Sequence, residues 1–185
     1  MISWGNDQFL NSFTGLHGGM VFGYVNGDDL RPVTWTKKNA DVGWLVLPDT
    51  SGHVTDLKHN FFSNITRQMP RRGSDERLMT NAFEPLACYD RPENGGNGNG
   101  LIDQGDSVWS QIRVWQNTSG DGLYDARRKP NEVFTLDQLG MVTIDIRNYT
   151  AGTLVDGHGN KQLWVGSLTS NGSKTLHIYD VQFGQ

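Results

Sequence analysis

From Asp90 to Glu132 the chain carries two runs in which side-chain oxygens recur at alternate positions and a glycine follows the third. The first run sets Asn97, Asn99, Gly100, Leu101, Asp103 and Asp106 in order. Counting Asn97 as position three puts Asn99 at five, Gly100 at the sharp turn, the Leu101 carbonyl at seven, Asp103 at nine and Asp106 at twelve. Position one falls on Gly95, which has no side chain to offer, and Asp90 fills it if Arg91 to Gly96 loops out. The second run sets Asn117, Ser119 and Asp121 at one, three and five, Gly122 at the turn, the Leu123 carbonyl at seven and Asp125 at nine. Strict counting then gives Arg128, which binds no cation, so Glu132 becomes the closing acid if Ala126 to Lys129 bulges outward. A hard cation accounts for this rhythm. Calcium takes six to eight oxygens at about 2.3–2.6 Å, and a tightly curled loop turns every second residue inward. A ring of that many oxygens suits calcium better than the smaller magnesium.

The elements that must hold these loops are less marked. Val108, Ile112 and Trp115 recur at helical spacing with Trp109 beside them, and Asp106 and Ser107 suit a helix start. The spacing predicts two loops joined by one shared helix. The run from Tyr89 through Leu139, most specifically Tyr89 to Gly100 and Arg113-Val114-Trp115, resembles the EF-hand-like (dockerin-type) calcium repeats of large secreted bacterial proteins, adhesins among them. A weaker likeness extends to Gly43–Leu47 and to Tyr179–Val181. The resemblance implies calcium binding and an extracellular setting, and it implies no reaction; the two loops set the expected number of calcium ions at two. Members also follow the second loop with a short helix and a strand, which Thr135–Gly140 and Met141–Ile146 fit.

Other chemistry is weakly represented. His17, His53, His59, His158 and His177 show no zinc-ligand spacing, and there is no Gly-x-Ser-x-Gly elbow or phosphate-cradling glycine loop. Asp49 to Asp56 is oxygen-rich but lacks the alternation and the second glycine, and is read as a degenerate loop. Arg67, Arg71, Arg72 and Arg77 make one locally basic stretch, read as solvated surface. The net charge of -4 argues against nucleic acid as a partner. No apolar run is long enough to span a bilayer, so no membrane insertion is expected. Cys88, the single cysteine, is read as a small buried apolar residue. Met1–Asn6 carries no signal-peptide pattern, so a secreted setting implies a mature or excised chain.

The expected fold is α+β: an antiparallel sheet packed with the loop–helix–loop unit. It divides into a β-rich part at 1–88, the calcium unit at 89–140 and C-terminal hairpin strands at 141–185. Within it, strands are expected at Met20–Val25, Pro32–Thr36, Trp44–Leu47, Met141–Arg147, Gln162–Leu168 and Thr175–Phe183, and a helix at Glu76–Cys88. Trp4, Phe9 and Phe13 sit in an otherwise unstructured lead-in, and the last strand reads as a sheet edge. Together they suggest head-to-tail self-association into filaments. The expected function is a non-enzymatic, extracellular or cell-surface calcium module that braces a surface, adhesive or matrix protein and associates with itself or with other matrix proteins. The alternative is a secreted enzyme or carbohydrate-binding module in which calcium is only structural.

Overall fold

The computed structural model describes residues 1–4, 8–16, 21–25, 29–55, 57–64, 66 and 79–184. Its strands, in chain order, are β1 (Ile2–Ser3), β2 (Val21–Val25), β3 (Asp29–Val33), β4 (Val42–Val46), β5 (Leu101–Ile102), β6 (Arg113–Trp115), β7 (Val133–Thr135), β8 (Met141–Asp145), β9 (Thr150–Ala151), β10 (Lys161–Ser170) and β11 (Thr175–Gln182). Two short helices, α1 (Leu57–Asn60) and α2 (Phe83–Tyr89), join them. Among the described residues one antiparallel sheet runs in the order β5-β8-β10-β11-β1-β4-β6-β7, with β9 added on β10 and a separate β2–β3 hairpin. Strand residues alternate between the faces of a sheet, and here both faces are covered. Ile2, Leu45, Ile102, Val114, Ile144, Leu168 and Ile178 point into one core, together with Phe83 and Leu86 of α2. Val42, Trp44, Val46, Trp115 and Tyr179 point into a second, aromatic core with Phe9, Phe13, Trp35 and Phe61.

The first core contains side chains from both ends of the strand order, Ile102 of β5 and Val114 of β6. The sheet must therefore curl, so that residues 103–112 can bridge its ends. This places the two oxygen-rich loops. The first runs from the end of α2 through β5 to Asp106, and the second is the turn between β6 and β7.

Several expectations are corrected. The fold is mainly β rather than α+β, and no helix joins the loops. Trp109 N–H donates to Asp106 O (3.0 Å), and Gln111 and Ile112 N–H both donate to Val108 O (2.9 and 3.0 Å), which makes one turn and no more. Arg113 to Trp115 then goes extended because both its edges are paired, with β4 on one side and β7 on the other. The β-branched Val114 and the indole of Trp115 suit that pleat. The lead-in is also not free. β1 lies between β11 and β4, and Phe9 and Phe13 are fully buried. β11 pairs with β10 and β1, so it is not a sheet edge. The basic stretch at Arg67–Arg77 lies outside the described residues, as do His17 and the start of the expected helix at 76–78.

Candidate metal centre

The first loop is built on Asp90, where α2 ends. Asn81 Oδ1 accepts the N–H groups of Phe83 (2.9 Å) and Glu84 (3.0 Å), which fixes the start of this helix. Beyond Asp90 the chain folds back through a 3-10 turn at Pro92–Asn94, and Gly98 N–H donates to the Asp90 carbonyl at 2.7 Å. Gly96 passes so close that a Cβ there would lie 2.1 Å from the Asp90 carbonyl carbon. The fold-back carries the buried Asp90 carboxylate into the loop. Its oxygens accept Asn99 N–H (3.1 Å) and Gly100 N–H (2.8 Å). Asp106, only 2% exposed, closes the other side by accepting Asn97 N–H (3.0 Å) and Asp103 N–H (2.8 Å). Between these two acids, Asp103 accepts the amide nitrogens of Asn97 (3.2 Å) and Asn99 (2.8 Å) and the N–H of Gly105 (2.7 Å). Asn99 Oδ1 in turn accepts Leu101 N–H at 2.8 Å, where β5 begins.

The second loop is organised differently. Glu132 is 5% exposed, and its Oε1 accepts Ser119 N–H (2.7 Å) and Thr118 Oγ1–H (3.0 Å). Its other oxygen, Oε2, is buried without a hydrogen-bond partner. Asn117 Oδ1 accepts Gly122 N–H (3.2 Å), and Asp121 Oδ1 accepts Ser119 Oγ–H and Leu123 N–H (both 3.0 Å). Into these oxygens comes the ammonium of Lys129. It donates to Asp121 Oδ2, to Ser119 Oγ (3.4 Å) and to the Leu123 carbonyl (3.3 Å). Burial alone would raise the Asp121 pKa. The bonds from Lys129, Leu123 N–H and Ser119, with the Lys129 charge, outweigh it and hold the carboxyl below its usual range.

The fold thus brings Asp90, Asn97, Asn99, Asp103 and Asp106 together in one loop, which Leu101 joins through its N–H, and Asn117, Ser119, Asp121, Leu123 and Glu132 in the other. Asp125 is not brought in. Its carboxylate caps the N–H groups of Arg127 (3.1 Å) and Arg128 (3.0 Å) and faces the Arg128 guanidinium at 3.7 Å. The Arg128 N–H bond is the main reason its pKa is lowered. Sequence reasoning missed Lys129, which turns inward where residues 126–129 were expected to bulge away. Nothing in its spacing marks that inward turn.

Among the described residues no three His, Cys, Asp or Glu side chains stand together as a metal cluster. The side chains brought together here are instead a mixture of carboxylates, amides and a hydroxyl, with the Leu123 carbonyl beside them, a set that suits calcium better than zinc. Each carboxylate oxygen that caps an N–H keeps a second lone pair. The buried, unpartnered Glu132 Oε2 is the atom that most needs a counter-charge. These donor types are ones that calcium takes. When bound, it would supply a divalent charge to these oxygens.

The SPM domain family model matches residues 11–184. The chain belongs to the SPM domain family. The iron-regulated protein FrpA of Neisseria meningitidis serogroup C is 26% identical over 163 residues, which is 88% of this SPM domain and 13% of FrpA. The chain therefore spans about an eighth of that relative's length. The family match covers both loops and does not bear on the dockerin-type resemblance of Tyr89–Leu139.

Proposed function

We propose that this SPM domain is a calcium-binding structural module of an extracellular or surface protein, with one calcium ion bracing each loop. The observation that carries the reading is in the second loop. Ser119, Asp121 and Leu123 already converge on a positive charge there, and beside them Glu132 keeps a buried carboxylate oxygen that no protein donor satisfies. The first loop supports it with the same ordering of oxygens, held by two buried acids. An extracellular setting belongs to the same proposal, since neutral oxygens such as those of Asn117, Ser119 and Leu123 among the donors suit the high calcium concentrations outside cells. No observation favours the carbohydrate-binding alternative, since none of the six tryptophans is exposed. Self-association through residues 1–13 is not part of the proposal, because Ile2, Ser3, Phe9 and Phe13 complete the chain's own sheet and core.

The test is a calorimetric calcium titration of the intact chain and of two variants. The reading expects two sites, with one lost in Asp106→Ala and the other in Glu132→Ala. A wild-type chain that takes up no calcium at millimolar concentrations, in the range of extracellular modules, contradicts it.

A further inference from the structure

We infer that Lys129 is a tethered competitor for the cation of the second loop, so that calcium enters there only by expelling it and the first loop fills before the second. The inference rests on the calcium reading above and adds how that site is regulated. Its starting point is where the ammonium lies. Lys129 Nζ donates to Ser119 Oγ, Asp121 Oδ2 and the Leu123 carbonyl, the atoms at positions three, five and seven of the loop. Two cations cannot share that point.

The lysine is also an incomplete substitute. An ammonium has three donors and a single charge, and here all three are used while Glu132 Oε2 stays buried without a partner. Calcium takes six to eight oxygens and brings two charges, so it has coordination to spare for Glu132, whose Oε1 already bonds Ser119 N–H. The exchange has a route to solvent, because the Lys129 side chain is 25% exposed and Asp121 is 40% exposed. The backbone around Lys129 is fixed independently of its side chain, by Lys129 N–H on Asp125 O (2.8 Å) and Glu132 N–H on Lys129 O (3.0 Å). The ammonium can therefore leave without unravelling the turn.

No ammonium among the described residues is bonded to the oxygens of the first loop in this way. Among the described residues its carboxylates are held by backbone N–H groups and by the amides of Asn97 and Asn99. The nearest cation, the Arg147 guanidinium, packs against Gly100, and among the described residues no hydrogen bond joins it to those carboxylates. When the binding-competent form is populated only in part, apparent affinity falls by that fraction. Displacing a partly exposed ion pair lowers it by roughly fivefold.

Two measurements test this on the full chain. In calorimetric titration with calcium chloride, Lys129→Met, which keeps the apolar stem and removes the charge, is expected to tighten the weaker of two sites by roughly fivefold. The tighter site stays unchanged, and the melting temperature in excess chelator falls. A purely structural lysine would weaken both stability and binding. The second measurement needs no variant. Acetylation of lysine amines in the unaltered chain, followed residue by residue by mass spectrometry, is expected to rise at Lys129 when calcium is added and to stay constant at the exposed Lys161. A weaker site that is unchanged or loosened in Lys129→Met overturns the inference, as does acetylation of Lys129 that is constant or falls with calcium. If the wild-type chain takes up no calcium, the metal reading falls too, whereas two wild-type sites with an inert Lys129 defeat this inference alone.

Discussion

Asp106 is the side chain on which the first loop closes, and its burial sets the size of the effect expected from losing it. Truncation leaves the N–H groups of Asn97 and Asp103 without their acceptor, a loss of about 1–3 kcal/mol that persists in chelator. Asp106→Ala is therefore expected to melt earlier with or without calcium. Glu132→Gln keeps the shape that accepts Ser119 N–H but removes the charge, so its defect is expected mainly when calcium is present. Asp49 is the contrast. Its exposed carboxylate caps Ser51 N–H (2.8 Å) and His53 N–H (2.9 Å), and the His53 bond is the main reason its pKa is lowered. Two N–H caps make an ordinary turn. Asp49→Ala is expected to leave calorimetric stoichiometry at two, and the loss of a site in that variant would show the upstream loop to be functional. The ligand types were legible in the sequence because alternation of short oxygen-bearing side chains is a local property. Lys129 was not, since a flexible four-carbon stem reaches its partners through space.

Among the elements, the connection from α2 to β5 shows how a five-residue departure from the usual loop spacing is absorbed. The 3-10 turn at Pro92–Asn94, with Gly95 at φ +84, folds the extra residues out and leaves Asp90 facing Asn99. That path requires the missing side chain at position 96. Gly96→Ala places a Cβ 2.1 Å from the Asp90 carbonyl carbon and 2.2 Å from its oxygen, where backbone rather than a flexible side chain must shift. We expect a destabilisation of about 1–3 kcal/mol and a weakened first site, measured by chemical denaturation and calcium titration. Wild-type values for both would mean that Asp90 does not depend on this fold-back. The segment between the loops is where the pattern misled. Val108, Ile112 and Trp115 match a helical stripe, but over so short a run the same residues also serve one turn followed by a strand. The choice was made by hydrogen bonds from β4 and β7, which are distant in sequence. Hairpins with their turns adjacent, such as β10–β11, were readable for the opposite reason.

For the whole molecule, the two loops hang on different cores. Ile102 ties the first to the core that α2 covers, while Trp115 and Tyr124, whose rings meet edge-on at 5.8 Å, tie the second to the aromatic core. The lead-in completes both. β1 bridges β11 and β4, and Phe9 and Phe13 fill the aromatic core beside Tyr179 and Trp44. Deleting residues 1–13 is therefore expected to cost the cooperative near-ultraviolet signal of the folded chain, and a deleted chain that melts cooperatively would contradict this role. Nothing in the polar, aperiodic lead-in signals a central strand two residues long, because its pairing is entirely non-local.

The central claim is that calcium holds the two loops and through them the sheet. Acids gathered in a loop repel one another until a cation neutralises them. A ligand at a hundredfold its dissociation constant stabilises the folded state by about 2.7 kcal/mol per site. For a chain of this size each kcal/mol is worth about 2–4 °C. The direct measurement is the melting temperature of the intact chain in millimolar-range calcium against the same chain in excess EGTA, after demonstrating by elemental analysis that no tightly held metal remains. The account predicts that chelation lowers the melting temperature by about 5–10 °C for each site emptied. Superimposable melting curves would contradict it.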